Sequence, residues 1–258
     1  MITRIICLLL FPFAIFAKDI TPISTALKTL RTDTFQSYVV TGNIYNYHEN
    51  KTDPFTLRFV STPSGLDVSV VNPLCLSAVS LDQRYQVMNS TFNIYEQFLI
   101  ERTKYDFRSG YRNPLDEVVF NFSLKGKEVK EKGLYYTSNT IDTFSIVPVF
   151  QAIAPLPDNY FSADLAVEHL GMKVPILIKK ELTNRLDKYL IGYSIQPELE
   201  AKIKSHITPS IVFVFKVTGW QGFFYNHRHI YVFSGTYPHQ YLGHWGGSDK
   251  LNLFSWAN

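Results

Sequence analysis

The sequence has little cysteine and no strong excess of charge of either sign. It contains two cysteines, Cys7 and Cys75, in 258 residues, and its net charge is +3 from 25 basic and 22 acidic side chains. So few thiols exclude a disulfide framework, and so small a charge gives no electrostatic reason to expect a nucleic-acid partner. With 46% apolar residues, 13 glycines and 13 prolines, the chain is neither intrinsically disordered nor collagen-like.

One apolar stretch stands apart from the rest of the sequence, and it lies at the N-terminus. Arg4 precedes a run from Ile5 to Ala17, and two charged residues follow it. A basic residue, a run too short to cross a bilayer comfortably and a small final residue are typical of a secretory signal peptide. We therefore predict a signal peptide at residues 1–17, with an uncleaved membrane anchor as the alternative. The mature protein is then expected in the periplasm or associated with the outer membrane.

Cleavage after Ala17 leaves Cys75 as the one remaining thiol, so the mature protein must be stable through its core alone. Cys75 lies in the short apolar run 73–76, where a buried, unreactive side chain is the expected role. We find no further stretch that is long and apolar enough to form a transmembrane helix.

The remainder of the chain, residues 18–258, is dominated by alternation of apolar and polar residues. Because successive side chains of a strand point to opposite faces, each alternating run predicts a strand with one buried face. The predicted strands are 55–59, 66–70, 118–124, 161–167, 189–195 and 211–217. Turn-forming segments at 49–54, 63–65 and 125–127 separate neighbouring runs, which favours an antiparallel meander over alternating strands and helices.

Three segments depart from this alternation. Residues 22–31 have apolar positions at helical spacing, and so do residues 142–153, where Asp142 is the expected N-cap and Pro148 lies near the start. Residues 197–206 fit both patterns: a proline at the start and an acidic–basic pair four residues apart favour a helix, whereas strict alternation favours a strand. We predict a strand there, because both neighbouring segments are predicted strands.

Together these patterns predict a mainly β protein with a curved antiparallel sheet, or a half-open barrel, and one or two short helices. We find no internal repeat and no low-complexity linker. A single β-rich domain over 18–258 is therefore the simplest organisation, with residues 155–158 as the candidate seam if the chain divides.

The order of these features resembles the half-open β-barrel proteins of the bacterial envelope, among them the lipoprotein-localisation carriers and several uncharacterised periplasmic families. The resemblance rests on residues 26–30 leading into 35–42, and on 134–136 leading into 142–153. It covers the architecture of much of the chain and includes no diagnostic motif. It implies a concave apolar sheet, plugged by helices, that holds acyl chains, and it transfers no binding residue to a numbered position.

Aromatic residues are abundant, with 16 Tyr, 20 Phe and 3 Trp. This load exceeds the needs of a small compact core and fits a sheet whose second face lines a groove or meets a partner. The candidate groove residues are Phe150, Phe223, Tyr225, Tyr231 and Phe233. We therefore expect an exported, non-enzymatic protein that binds a lipid or acyl ligand or an envelope protein, with peripheral association with the membrane.

His227 and His229 form the sharpest local motif. Two residues apart on a strand, they would share one face about 7 Å apart, within reach of one zinc ion. A third ligand could come from His239, His244 or Asp249. This pattern predicts zinc and a metal-dependent hydrolase as one alternative. The other interpretation is that the histidines belong to a partly wet aromatic face, in which case no cofactor is expected.

Two further patterns bear on function. The near-terminal run 251–256 and the alternating aromatic strands are typical of an outer-membrane β-barrel, although several predicted strands are shorter than about 9–11 residues and the helix at 142–153 has no place in one. The glycine-rich segment 243–248 does not match a phosphate-binding loop, and no serine lies in a nucleophile-elbow motif. The sequence therefore predicts no catalytic residue outside the zinc alternative.

Overall fold

The computed structural model describes residues 19–30, 37–46, 51–71, 75–94, 107–113, 117–124, 127–142, 145–167, 172–193, 195–224, 227–246 and 251–254. The predicted signal peptide, its cleavage site, Tyr225 and Asp249 lie outside these ranges. Predictions that concern them stay predictions.

The described residues form sixteen strands and four short α-helices. The strands are β1 (Ile20–Pro22), β2 (Tyr38–Asn46), β3 (Lys51–Thr62), β4 (Gly65–Val71), β5 (Cys75–Asp82), β6 (Val87–Ile94), β7 (Phe107–Arg112), β8 (Glu117–Leu124), β9 (Lys127–Tyr135), β10 (Thr140–Ile141), β11 (Tyr160–Val167), β12 (Met172–Thr183), β13 (Ser210–Val217), β14 (Arg228–Ser234), β15 (Tyr241–Gly246) and β16 (Leu251–Phe254). The helices are α1 (Ile23–Lys28), α2 (Ile146–Ile153), α3 (Pro197–Ser205) and α4 (Gln221–Phe224), and a single 3₁₀ turn spans Leu186–Tyr189.

The strands form one continuous and almost entirely antiparallel ladder. Its order is β11, β12, β13, β14, β15, β16, β2 and then β3 to β9 in sequence, while β1 and β10 both pair with β11 in parallel. The pairing of β16 with β2 joins the last strand to the first long one. Within the described ranges no pairing connects β9 to β1 or β10, so the sheet is open. The predicted class, a mainly β half-open barrel with short helices, is confirmed.

One face of this ladder is apolar across nearly its whole width. Strands from both ends of the ladder contribute to a single buried cluster, so the sheet must curve around it. Members from the sheet include Leu57, Val68, Val79, Val118, Leu134, Phe161, Ile178 and Phe213. Helices α1 and α2 lie inside this concave face and contribute Ile23 and Ala26 from α1 and Val149, Phe150 and Ile153 from α2.

Helix α2 confirms the helix predicted within 142–153, but its start differs in detail. The N-cap is Ser145 rather than Asp142. The Oδ1 atom of Asp142 accepts a hydrogen bond from the backbone N–H of Ser145 at 2.7 Å, and its carbonyl accepts one from Ile146 at 3.1 Å. Asp142 therefore closes the turn that precedes the helix. Pro148 lies in the first turn, where it costs no hydrogen bond.

The convex face carries a second apolar cluster that the sequence analysis did not anticipate. It lies between the convex face of β13, β14 and β15 and the 3₁₀ turn and α3 that cover this face. Its fully buried members are Tyr45, Leu186, Leu199, Ile203, Val212, Val232 and Trp245. This part of the sheet is therefore buried on both faces. The 3₁₀ turn and α3 cover its convex face, and α1 and α2 fill the concave side.

Two strand predictions are wrong, and both fall on the segment that covers this convex cluster. Residues 189–195 contain a turn with Gly192 at a φ of +89°, and Ile191 is 84% exposed instead of buried. The 197–206 segment is the helix α3, because Leu199 and Ile203 are buried four residues apart while Ala201 is exposed. Strands β12 and β13 pair directly with each other, so the sheet has no place for a strand between them.

Candidate functional site

The candidate site is the part of the concave face that faces α2. Here the Phe150 ring from α2 stacks on Phe213 at a centroid distance of 4.6 Å and meets Tyr231 edge-on at 5.5 Å. Phe233 meets Phe213 edge-on at 5.7 Å, and Phe215 lies 6.4 Å from Phe150. We call these five rings the aromatic cluster. Alternation along β13 and β14 places its four sheet residues on the same face, and α2 lies across them.

The four predicted groove residues that the structure describes do not all lie together. Phe150 and Phe233 are fully buried and Tyr231 is 8% exposed, so these three are packed within the aromatic cluster. Phe223 lies on α4, outside the concave face, and is 88% exposed. Tyr225 lies outside the described residues. The concave aromatic face is therefore present, and α2 already covers the rings that the sequence assigned to a groove.

Two hydrogen bonds from one amide fasten α2 to the rest of the site. The Tyr38 hydroxyl on β2 donates to Oε1 of Gln151, and Nε2 of Gln151 donates to the carbonyl of Pro238 at 3.1 Å. The Tyr38 ring stacks on Phe59 at 4.3 Å. Burial raises the pKa of Tyr38 far above its usual value, partly opposed by the hydrogen bond to Gln151, so this phenol stays neutral and acts as a donor.

A second polar contact lies beside the aromatic cluster. The Tyr241 hydroxyl and Nδ1 of His244 are 2.8 Å apart, and the His244 ring stacks on Tyr231 at 4.9 Å. Desolvation, and secondarily the charge that His229 can carry, lower the pKa of His244 to about 3. Burial also raises the pKa of Tyr241. Both groups are therefore neutral at physiological pH.

The two histidines of the predicted zinc pair lie in different environments. His229 lies on β14 and stacks on Phe215 at 4.5 Å with the rings 8° from parallel, whereas His227 precedes the strand and is exposed. His239 has its Nδ1 atom 3.1 Å from the carbonyl of Ser234. Among the residues that the structure describes, no group of three His, Cys, Asp or Glu side chains is placed to hold a metal ion. Asp249 lies outside them, and zinc stays an untested hypothesis.

The sequence analysis missed a buried cation at the end of α2. Lys180 is 5% exposed, and its ammonium donates to the carbonyl of Leu156 at 2.6 Å and to Oδ1 of Asp158 at 3.1 Å. Lys180 therefore joins β12 to the segment that follows α2, where its charge lies near the free carbonyl groups at the end of the helix. A signal was present, because alternation places Lys180 on the same face of β12 as the buried Ile176 and Ile178.

The fold and this site define a class of protein: a β-barrel-like protein with an open sheet and a helix packed inside it. A solved structure is similar to the chain, a β-barrel-like protein of a domain of unknown function, DUF1849, from Brucella abortus. The two share 8% identity at a TM-score of 0.50, over 85% of this chain and 94% of that chain. This likeness shows the fold alone.

No protein-family model and no curated protein matches the chain. Within the described ranges, none of the helices has the length and apolar character needed to cross a membrane.

Proposed function

We propose that the protein is an exported, non-enzymatic binding protein that holds a lipid or acyl chain against its concave aromatic face, at the place where α2 lies. The observation that carries the proposal is the packing of Phe150 from α2 into the aromatic cluster. The helix buries its apolar side chains where the resemblance to envelope half-barrels places an acyl chain. In this proposal α2 is a plug that the ligand displaces from the aromatic face.

The energetics support an exchange between plug and ligand. Burying one large apolar side chain is worth about 1.5–3 kcal/mol, so an acyl chain that covers the same rings regains much of what is lost when α2 moves. The polar contacts of Gln151 with Tyr38 and with the Pro238 carbonyl are neutral hydrogen bonds. Each of these contributes only about 0.5–1.5 kcal/mol. The helix is therefore held mainly by the kind of contact that an apolar ligand can replace.

The titration behaviour of the site favours binding over acid–base chemistry. A catalytic acid or base works best with a pKa near the operating pH. Here the pKa of His244 is lowered to about 3 and that of Tyr241 is raised. Both shifts lead away from neutral pH, which suits a low-polarity binding surface better than a proton-transfer site.

The main test is to purify the protein from the envelope fraction and to identify co-purified lipids by organic extraction and mass spectrometry. A fluorescent acyl probe, dansylaminoundecanoic acid, then reports binding to the delipidated protein. We expect Phe150→Leu, which weakens the packing of the plug against the sheet, to strengthen probe binding, and Phe223→Leu, on an exposed ring of the same type, to leave it unchanged. A protein that purifies without lipid and does not bind the probe would contradict the proposal.

The two alternatives have separate tests. Zinc analysis of the wild type against His227→Ala and His229→Ala addresses the hydrolase, and an unchanged metal content in both variants would remove it. For the outer-membrane barrel, the edge at β9, which pairs with no further strand within the described ranges, is unfavourable, since lipid offers no hydrogen-bond partners to an open sheet edge. Solubility of residues 18–258 without detergent would exclude that alternative.

A further inference from the structure

The loop that contains α4 presents two large aromatic side chains to solvent at one end of the sheet. It connects β13 to β14, and Trp220 and Phe223 are 65% and 88% exposed. The N–H of Phe223 donates to the carbonyl of Trp220 at 3.2 Å, so the two residues lie three apart on one helical turn. Side chains at this spacing are neighbours on a helix surface. We call Trp220 and Phe223 the aromatic tip.

The backbone below the aromatic tip is closely fixed to the sheet. The N–H and hydroxyl of Thr218 both donate to the carbonyl of Pro175, at 2.8 and 3.1 Å. Gly219 has a φ of +67° that favours glycine, and a Cβ atom at Gly222 would lie 2.8 Å from the carbonyl oxygen of Val217. The tip is therefore presented in a defined position, which lowers the entropy that a contact would cost.

Basic residues lie next to the tip. Lys216 on β13 and Arg228 on β14 are exposed cross-strand partners at the ends of the strands that α4 connects. His227, directly before β14, is also exposed. A positive surface beside exposed aromatic rings is complementary to a negatively charged, partly apolar surface.

A further apolar side chain belongs to the same end of the sheet. Ile191, 84% exposed, lies in the turn that follows the 3₁₀ segment. This turn is attached to the base of the tip because the Tyr193 hydroxyl donates to the carbonyl of Arg228 at 3.0 Å. Two separate segments therefore expose large apolar residues around one basic strand end.

We propose that this end of the protein docks onto an anionic lipid surface. Tryptophan is enriched at membrane–water interfaces because its ring is apolar and its N–H remains able to donate to water. The rings would enter the interfacial region while Lys216 and Arg228 contact the anionic head groups. The inference goes beyond the proposed ligand binding, since none of these residues lies on the concave face.

The test is flotation of the purified full chain with vesicles of phosphatidylcholine alone and with about one third phosphatidylglycerol, a composition that gives a negative surface. Because residues 5–17 are apolar and could bind lipid by themselves, wild type and variants carry the same N-terminus. We expect the anionic vesicles to bind more protein, and Trp220→Ser with Phe223→Ser to reduce that binding by about tenfold or more. Ile207→Ser, which changes a residue 79% exposed on another loop, is the matched control.

A local readout separates docking from a general loss of structure. Wild-type tryptophan emission should shift to the blue on anionic vesicles. In a Trp256→Phe background, which removes the tryptophan that lies outside the described residues, Trp220→Phe should retain most of the binding and lose most of the shift, since Trp245 is already fully buried. Equal binding by the wild type and the Trp220→Ser, Phe223→Ser variant would overturn the proposal. So would a concentration-dependent dimer that this double substitution abolishes, because the tip would then be a contact between two copies.

Discussion

The Tyr38 hydroxyl on β2 donates a hydrogen bond to Oε1 of Gln151 on α2, across 113 positions of sequence. The same amide donates to the carbonyl of Pro238, in the loop between β14 and β15. One side chain of the helix therefore connects two separate parts of the curved sheet. Any movement of α2 away from the concave face must break both contacts together.

Tyr38→Phe removes the hydroxyl and keeps the ring that stacks on Phe59. The loss leaves Oε1 of Gln151 without this donor, so we expect the free energy of unfolding to fall by about 1–3 kcal/mol. Tyr135→Phe, on a phenol that is 60% exposed, should change it by less than about 0.5 kcal/mol. Urea unfolding measures both variants.

The same substitution also tests the role of α2 as a plug. In Tyr38→Phe the exchange of the α2 amides should accelerate by a larger factor than that of the amides of β5 and β6, whose local openings do not break the Tyr38–Gln151 contact. Uniform acceleration across the sheet, or no acceleration in α2, would show that the Tyr38–Gln151 contact does not hold the helix.

Much of the fold could be predicted from the period of the apolar residues. The alternating run at 55–59 lies within β3, and the helical spacing within 142–153 becomes α2. In these segments one face meets the concave core and the other does not, so the pattern and the environment agree. The register and the order of the strands are not contained in such a pattern, because they depend on contacts between distant segments.

The convex side was predicted wrongly because local alternation does not reveal which surface is available for packing. In the run 197–206 either a strand or a helix would bury Leu199 and Ile203. Ala201 distinguishes the two interpretations, because a strand would bury it on the same face and a helix would expose it. It is exposed, and Lys202 and Lys204 each lie near a glutamate four residues earlier, at 3.0 and 2.5 Å. Such i,i+4 pairs stabilise a helix.

A sequence signal for the convex cluster did exist. The run 211–217 is apolar at nearly every position, and a continuous apolar run is typical of a strand buried on both faces. Val212 and Phe213 accordingly belong to opposite clusters. No sequence pattern indicated the hydrogen bond between Tyr38 and Gln151, because neither residue departs from the pattern of its own strand or helix. Their pairing depends on the tertiary structure.

Phe150→Ala should be among the most destabilising single substitutions in the described part of the chain. The ring is fully buried between Phe213 and Tyr231, and removal of a buried phenylalanine side chain typically costs about 3–5 kcal/mol. Phe223→Ala removes the same group from an exposed position and should cost less than about 0.5 kcal/mol. Similar midpoints for the two variants in urea unfolding would show that α2 does not pack as described.

Lys180→Met tests the buried cation at the end of α2. Methionine keeps much of the apolar stem but removes the ammonium that binds the Leu156 carbonyl and Asp158. We expect a loss of about 1.5–3 kcal/mol, because hydrogen bonds to a charged group are the stronger kind. Lys179→Met is the matched control: its side chain is 43% exposed and pairs with Glu181, so it should cost no more than about 1 kcal/mol. Equal costs for the two would contradict a structural role for Lys180.

The neutral His244 predicts a loss of stability in mild acid. Its pKa in the folded protein is about 3, against about 6.5 in an unfolded chain. Between these values the unfolded state binds a proton that the folded state does not, so stability is complete above pH 6.5 and falls as the pH decreases towards 3. The slope from this one group is at most about 1.4 kcal/mol per pH unit.

To isolate the contribution of His244, unfolding free energies between pH 4 and 8 are compared for Tyr241→Phe and for the double variant Tyr241→Phe with His244→Phe. Tyr241→Phe removes the hydroxyl that contacts Nδ1 of His244, so neither protein contains that hydrogen bond, and a phenylalanine at position 244 can still stack on Tyr231. Because desolvation is the main cause of the lowered pKa, the single variant should retain the acid-dependent loss and the double variant should lose most of it. Parallel curves for the two proteins would show that His244 is not the group that titrates.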